Sequence, residues 1–289
     1  MSFLQISLFL CLFGQDPTFR STTAVVRIDA EVVLPSGQVV SGLAASDFRV
    51  LDQGVARTIE NFSFEEDPLD LILLFDTSAE MRAKLQAIVR AAELGFHELR
   101  AGDRVSVMAY SSVTRVAQAF TGDLEAANDA ILLRVLAAPF SGSAHIETAA
   151  ADAALRFRTE PPSHRKRAIL AITDKAEGGA AADIRGLWDG NIVFSELVVG
   201  KGGATKVLES APGSAATRTG GIVIAAGVPG EAFQQSVHYL RTGYTLYYAL
   251  PGSVPSGEHS FRVELTPEAA RRYAGARVRA RTGYIVPGR

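Results

Sequence analysis

A continuous apolar segment reads Leu69-Asp70-Leu71-Ile72-Leu73-Leu74-Phe75, and Asp76-Thr77-Ser78-Ala79-Glu80 follows it directly. An apolar run without alternation is typical of a strand that is buried on both faces of a parallel sheet. Roughly residues 80–99 then show helical spacing, because five apolar residues share one helical face: Leu85, Ile88, Val89, Ala92 and Phe96. This strand and helix are therefore expected to form the first unit of an α/β sheet.

The alternation of strand-like and helix-like segments continues to about residue 241. Strands are predicted at 104–110, 114–120, 167–173, 192–199 and 221–225. Helices are predicted at 124–136, 146–158, 184–188, 205–211 and 231–240. Repeated units of this kind predict an α/β fold, a doubly wound and mostly parallel sheet with helices on both faces.

Both flanks of this region have the two-residue alternation of strands with one wet face. The first flank spans residues 24–64, with turns at 35–37 and 52–54, and the second spans residues 244–281. Arginines 277, 279 and 281 are expected on the wet face of the last strand. Neither flank has enough apolar surface to be stable alone, so the two are expected to meet in one small discontinuous β module. The predicted organisation is a signal-like segment at 1–20, module parts at 21–66 and 242–289, and an α/β domain at 67–241.

Composition limits the classes of partner. The 289 residues carry a formal net charge of −2, which argues against nucleic acid or an anionic membrane as the main partner. The basic cluster His164-Arg165-Lys166-Arg167 is interpreted as a solvated loop, with nucleic-acid contact as the alternative. Cys11 is the single cysteine, so the folded body has no disulfide and suits either redox compartment.

The first residues include an apolar run from Phe3 to Phe13, about as long as a signal-peptide core and too short to span a bilayer. We expect export, to the cell envelope or periplasm or outside the cell. A mis-annotated start codon is the alternative, because no Lys or Arg precedes the run and Leu12-Phe13-Gly14 is a poor small-x-small cleavage site.

Polar residues gather where the predicted parallel strands end, which is where open α/β sheets bind ligands. Asp76, Ser78 and Glu80 follow the first central strand, Ser143 lies in the loop before the helix at 146–158, and Asp174 follows the strand at 167–173. Carboxylates and hydroxyls suit a hard cation, Mg²⁺, Mn²⁺ or Ca²⁺, and argue against zinc. The alternative is a structural role, in which Asp76 or Ser78 only caps the following helix.

The spacing Asp76-x-Ser78-x-Glu80 resembles the Asp-x-Ser-x-Ser signature of the metal-ion-dependent adhesion site in von Willebrand factor type A domains. Gly142-Ser143 resembles the Gly-Thr loop of that family, and Asp174 resembles its later aspartate. The flanks resemble von Willebrand-related proteins of acidobacteria, in motifs such as Leu43-x-x-x-Asp47-Phe48 and Tyr244-x-Leu246-x-Tyr248. The resemblance implies a Rossmann-like sheet and a protein–protein interaction or adhesion module, in which a partner supplies an acidic side chain to the metal.

Two positions depart from the family pattern. Ser143 keeps the hydroxyl of the family threonine, whereas Glu80 replaces a serine by a carboxylate. Glu80 could ligate the cation from within and cap the site, or it could point away and leave the site empty. Three acids near one point would cost free energy without a cation. His145, Glu147 and Glu177 are expected at the partner-binding rim, with His145 as a metal ligand the less favoured alternative.

No motif of an enzyme is evident. The first strand is followed by no Gly-x-Gly-x-x-Gly, and the chain has no Gly-x-Ser-x-Gly. Two alternatives to a binding module stay open: a structural scaffold with a non-functional metal site, and a metal-dependent hydrolase that would lack an evident general base.

Overall fold

The computed structural model describes residues 24–161, 164–176, 184–200, 203–208, 210–227, 229–252 and 254–288. The predicted signal-like segment at 1–20 and the predicted rim residue Glu177 lie outside the described residues.

The first flank forms four strands: β1 (Val25–Val33), β2 (Phe48–Asp52), β3 (Val55–Arg57) and β4 (Asn61–Phe64). Strands β2 and β3 form the predicted hairpin. The other predicted hairpin is present only as a short turn: Val39 bridges Val33 and the Val40 amide donates to the Val32 carbonyl at 2.8 Å, whereas β1 otherwise pairs with strands from the second flank.

The middle of the chain alternates as predicted. Its strands are β5 (Leu69–Asp76), β6 (Arg104–Tyr110), β7 (Thr114–Thr121), β8 (Lys166–Thr173), β9 (Ile192–Val199), β10 (Lys206–Leu208) and β11 (Val223–Ala226). Its helices are α1 (Arg82–Phe96), α2 (Leu124–Ala130), α3 (Ile146–Arg158), α4 (Arg185–Asp189), α5 (Ala215–Thr219) and α6 (Pro229–Arg241). A π-helical turn, Ile131–Val135, continues α2.

The second flank contains β12 (Tyr244–Ala249), β13 (Gly257–Leu265), α7 (Pro267–Arg272), β14 (Arg277–Ala280) and β15 (Gly283–Val286). Helix α7 and strand β15, and helix α5 in the middle region, were not predicted from the sequence. The helix predicted at 205–211 is wrong: residues 206–208 form β10, which pairs antiparallel with β11.

The central sheet has seven strands in the order β10-β11-β9-β8-β5-β6-β7. The inner pairs are parallel, and the two edge strands are antiparallel. Strand β5 is buried throughout, and its alternate residues enter two different cores. Leu71, Leu73 and Phe75 face α1 and α6, whereas Ile72 and Leu74 face α3 and α4. Burial on both faces explains the continuous apolar run and confirms the predicted α/β sheet.

Helices α1 and α6 approach each other closely at Gly95. A Cβ atom at that position would lie 2.1 Å from Phe233 Cδ1, so only glycine fits there without displacing the ring. The contact holds α1 against the sheet, and the amino-terminal end of α1 follows the loop that leaves β5.

The two flanks combine into two four-stranded sheets, in the orders β14-β1-β12-β4 and β15-β13-β2-β3. Each sheet contains strands from both flanks, with β1 pairing β12 and β2 pairing β13. Their apolar faces enclose one core that includes Ile28, Val50 and Leu246. The expected discontinuous β module is therefore confirmed.

The β module contacts the α/β domain at the amino ends of the parallel strands. Asn191, which precedes β9, donates a hydrogen bond of 2.8 Å to Asp29 on β1. Lys166, the first residue of β8, donates one of 2.9 Å to the Thr242 carbonyl. The carboxyl ends of these strands, where ligands are expected, lie at the opposite edge of the sheet.

Buried charges line this contact, which corrects two predictions. Lys166 is half-buried beside Asp29 and Glu31, because Arg165, Lys166 and Arg167 of the basic cluster are partly covered and only His164 is exposed, so the cluster is not a fully solvated loop. Arg281 is 9% exposed, so it does not belong to a wet face. Its guanidinium donates to the carbonyls of Trp188 and Arg27 at 3.0 and 2.7 Å. These cations hold the two parts of the molecule together.

Candidate functional site

Asp76 ends strand β5 and is completely buried. Its Oδ1 accepts a hydrogen bond of 2.7 Å from the Ser78 amide, and its Oδ2 accepts one of 3.1 Å from the Thr173 hydroxyl. Because Thr173 ends the neighbouring strand β8, the carboxylate is fixed between two strand ends. Burial raises the pKa of the Asp76 carboxyl, the hydrogen bonds from Ser78 and Thr173 lower it, and the nearby charge of Asp174 raises it, with a net increase.

A cleft of about 290 Å³ opens at this edge of the sheet. All five predicted ligand residues line it: Asp76, Ser78, Glu80, Ser143 and Asp174. The predicted rim residue Glu147 also lines the cleft, and it is exposed as expected. His145 lies beside the cleft, with its ring nitrogen Nε2 3.3 Å from the Ser143 hydroxyl.

The loop that carries Ser143 is tied to the ends of β5 and β6. The Ser141 amide donates to the Thr77 carbonyl at 3.3 Å, and the His145 amide donates to the Ser111 carbonyl at 3.2 Å. Gly142 has a φ of +74°, a conformation that favours glycine. This backbone geometry positions Ser143 at the mouth of the cleft.

The helix-cap alternative accounts for little of this arrangement. Ser78 precedes a short 3₁₀ helix, Ala79–Met81, and its side chain makes no capping hydrogen bond. The Ser78 side chain lines the cleft instead.

Charges in the cleft are not those that the sequence analysis expected. Among the described residues, no three acidic, histidine or cysteine side chains come close enough together to hold a metal ion. Asp174 forms an ion pair with Lys84, whose Nζ lies 2.9 Å from Asp174 Oδ2. The three acids expected near one point, Asp76, Glu80 and Asp174, line the same cleft, but Asp174 is paired with a lysine. A cation bound here would need hydroxyl ligands, from Ser78 and Ser143, beside the carboxylates.

Sequence reasoning missed Lys84 and Tyr110. Lys84 lies in the first turn of α1, where the helix dipole disfavours a positive charge, so a compensating acid could have been suspected. Tyr110 ends β6 and lines the cleft, and its buried hydroxyl has no hydrogen-bond partner among the described residues. Burial raises the pKa of Tyr110, and the charge of Asp76 raises it further. The sequence pattern did not mark Tyr110 as a site residue, because it is the last residue of a predicted strand.

A family model described as the von Willebrand factor type A domain matches residues 71–177. The match spans β5 to the residues just beyond β8 and includes all five predicted ligands. The chain carries a von Willebrand factor type A domain. The likeness of its flanks to acidobacterial proteins stays a prediction.

Solved structures with similar folds are distant. A von Willebrand factor type A protein from Catenulispora acidiphila is 13% identical, with a TM-score of 0.47 over 92% of this chain and 75% of that one. An aerotolerance-related membrane protein from Bacteroides fragilis is 19% identical, with a TM-score of 0.39 over 60% and 88%. The protein BatB from Bacteroides thetaiotaomicron is 20% identical, with a TM-score of 0.37 over 60% and 86%. No curated protein matches this sequence.

Type A domains often bind a divalent metal, and the side-chain oxygens of this cleft are of the type that such an ion prefers. They are carboxylate and hydroxyl oxygens, the ligands that Mg²⁺, Mn²⁺ and Ca²⁺ prefer. The unpartnered Tyr110 hydroxyl marks a further oxygen that a bound ion or its water could satisfy. Within the described ranges, no helix has both the length and the apolar character to cross a membrane.

Proposed function

We propose that this protein is a binding module and not an enzyme, which takes up an acidic side chain of a protein partner at the cleft beside Asp76. The observation that carries the proposal is the grouping of Asp76, Ser78, Ser143 and Asp174 at one mouth of the sheet, at the edge opposite the β module. A volume of about 290 Å³ suits one side chain or a small ligand.

A divalent cation would be held by the carboxylates of Asp76 and Asp174 and the hydroxyls of Ser78 and Ser143. It would supply the positive charge that attracts a partner's carboxylate. Mg²⁺ is the first choice, with Mn²⁺ or Ca²⁺ as alternatives. Glu80 is exposed at the cleft, so its carboxylate can add negative charge to the cation and compete with the partner. We place the protein outside the cell or at the cell envelope, as the apolar run at residues 3–13 favours.

The test is a surface-binding measurement with an immobilised pentapeptide, blocked at both ends, that carries a central aspartate. Binding should occur in Mg²⁺, disappear in EDTA, and be absent for the matched asparagine peptide. Equal binding of both peptides, or binding unaffected by EDTA, would refute recognition of a carboxylate through a cation.

One observation favours a second candidate, a structural scaffold whose metal site is lost. The Lys84–Asp174 ion pair already places a positive charge at the cleft. A scaffold would bind neither cation nor peptide in any of these measurements, and its contacts would come from the β module.

A further inference from the structure

Contacts on two sides define the position of the Lys84 side chain beside the cleft. Lys84 projects from the first turn of α1, and its ammonium group lies 2.9 Å from Oδ2 of Asp174, the residue that follows β8. The Asp174 side chain is 9% exposed and that of Lys84 is 32% exposed. The pair is therefore partly shielded from water, which makes it stronger than an ordinary surface ion pair.

The stem of the lysine is held from the other side by Gly200, which follows β9. A Cβ atom at Gly200 would lie 2.8 Å from Lys84 Cε and 3.0 Å from its Cδ. The backbone there has a φ of +88°, which favours glycine. The segments that follow β8 and β9 thus contact one side chain from two sides.

The ion pair with Asp174 offsets the unfavourable position of the Lys84 charge on helix α1. A cation in the first turn of a helix is disfavoured by the helix dipole. Lys84 nevertheless turns toward the cleft, where Asp76 is completely buried and Asp174 is close. Its flexible stem and partial exposure allow the ammonium group to swing into solvent when another cation arrives.

We propose that Lys84 is a tethered cation, which neutralises Asp174 when the cleft holds no divalent ion and must be displaced before one binds. It therefore sets the affinity of the cleft for metal. This inference rests on the proposed function, because it concerns the same cleft.

The experiment measures the Kd for Mg²⁺ by calorimetry in three proteins: native, Lys84→Met and Lys175→Met. Methionine keeps an unbranched stem against Gly200 and removes only the charge. Lys175 is a matched control, because it lines the same cleft and is exposed, whereas the ion pair with Asp174 is made by Lys84. Lys84→Met should bind Mg²⁺ at least about fivefold more tightly than native, and Lys175→Met should stay within about twofold.

A second arm measures pairing without metal. In EDTA, denaturant unfolding of native, Lys84→Gln, Asp174→Asn and the double variant should reveal a favourable coupling between the two positions. Lys84→Gln is used here because glutamine is polar and methionine is apolar. An effect seen with both substitutions then comes from loss of the charge and not from altered packing.

The outcomes separate the inference from the proposed function. If native protein binds Mg²⁺ but Lys84→Met binds no more tightly than Lys175→Met, the inference is wrong and the cation site stands. If only Lys84→Met binds, the inference stands and the native protein is not a metal-dependent module. If neither binds Mg²⁺, Mn²⁺ or Ca²⁺, or if no coupling appears in EDTA, the tethered-cation role is refuted.

Discussion

Lys84 on α1 and Asp174 beyond β8 form an ion pair of 2.9 Å across the carboxyl edge of the central sheet. The pair links the first turn of α1 to the segment after β8, and it changes the charge of the cleft. The lining contains the carboxylates of Asp76, Glu80, Glu147 and Asp174 beside the cation of Lys175, and Lys84 adds a second positive charge through its contact with Asp174. The ion pair also separates two accounts of the molecule, since a binding module must exchange the lysine for a metal and a scaffold need not.

Glu80→Ser should weaken Mg²⁺ binding by about threefold to tenfold, because a negative oxygen near a hard cation is lost. The same change should strengthen binding of the aspartate peptide, because a competing carboxylate has gone. Calorimetry and the surface assay measure the two effects. Glu147→Ser is the control, an exposed acid that lines the same cleft. Stronger metal binding in Glu80→Ser would mark the glutamate as an obstruction.

Gly95→Ala should destabilise the protein by about 1–3 kcal/mol, because its methyl group would overlap the Phe233 ring between α1 and α6. Urea unfolding gives the free energy. Gly186→Ala in α4 is a matched control, since its Cβ would lie 3.9 Å from the Ala154 Cβ, an ordinary contact. The control should be neutral or stabilising by about 0.5 kcal/mol. Equal effects of the two substitutions would mean that the helix contact is looser than described.

Arg281→Met should cost about 2–4 kcal/mol of unfolding free energy, because the carbonyls of Trp188 and Arg27 each lose a hydrogen bond from the largely buried guanidinium. Thermal and urea unfolding measure the loss. Arg262→Met, at a side chain that is 69% exposed on β13, should change stability by less than about 0.5 kcal/mol. A small effect at Arg281 would show that the β module is held to the α/β domain by other contacts.

Glu31 makes stability depend on pH. Burial raises its pKa from an ordinary 4.5 to about 8, although Lys166 and Arg279 lower it. The folded state then binds a proton that the unfolded chain has released. Its contribution is complete below about pH 4.5 and falls as the pH rises to about 8, by up to about 1.4 kcal/mol per pH unit.

Urea unfolding of native and Glu31→Gln from pH 5 to 9 tests this dependence. As the pH rises, the unfolding free energy of the native protein should fall relative to that of the glutamine variant. The difference should level off above about pH 8. A difference that does not change with pH would mean that Glu31 stays ionised beside Lys166.

The sequence predicts the central sheet well because its signal is local. Residues 69–75 are buried on two faces and are therefore apolar except for Asp70, and α3 spans Ile146–Arg158 as predicted. Residues 205–211 gave a wrong helix, because a three-residue edge strand is too short to show alternation.

Long-range pairing accounts for what the sequence could not show. Arg281 and Lys166 look solvated in their own segments, and the docking of the β module buries the first and partly covers the second. At the cleft, Asp76, Ser78, Ser143 and Asp174 share a mouth because parallel strands end at one edge, which the motif order predicts. The Lys84 contact depends on the direction of one side chain, ninety positions from its partner, which no local pattern specifies.

Calorimetric titration with Mg²⁺ measures whether the cleft binds a divalent cation. Native protein should bind one ion per chain, and Asp76→Asn and Ser78→Ala should each lower the affinity by at least about tenfold, since each removes a ligand oxygen or its charge. Thermal unfolding with and without Mg²⁺ should show the same order, with native protein the most stabilised. Absence of heat and of any thermal shift in native protein with Mg²⁺, Mn²⁺ and Ca²⁺ would contradict the account.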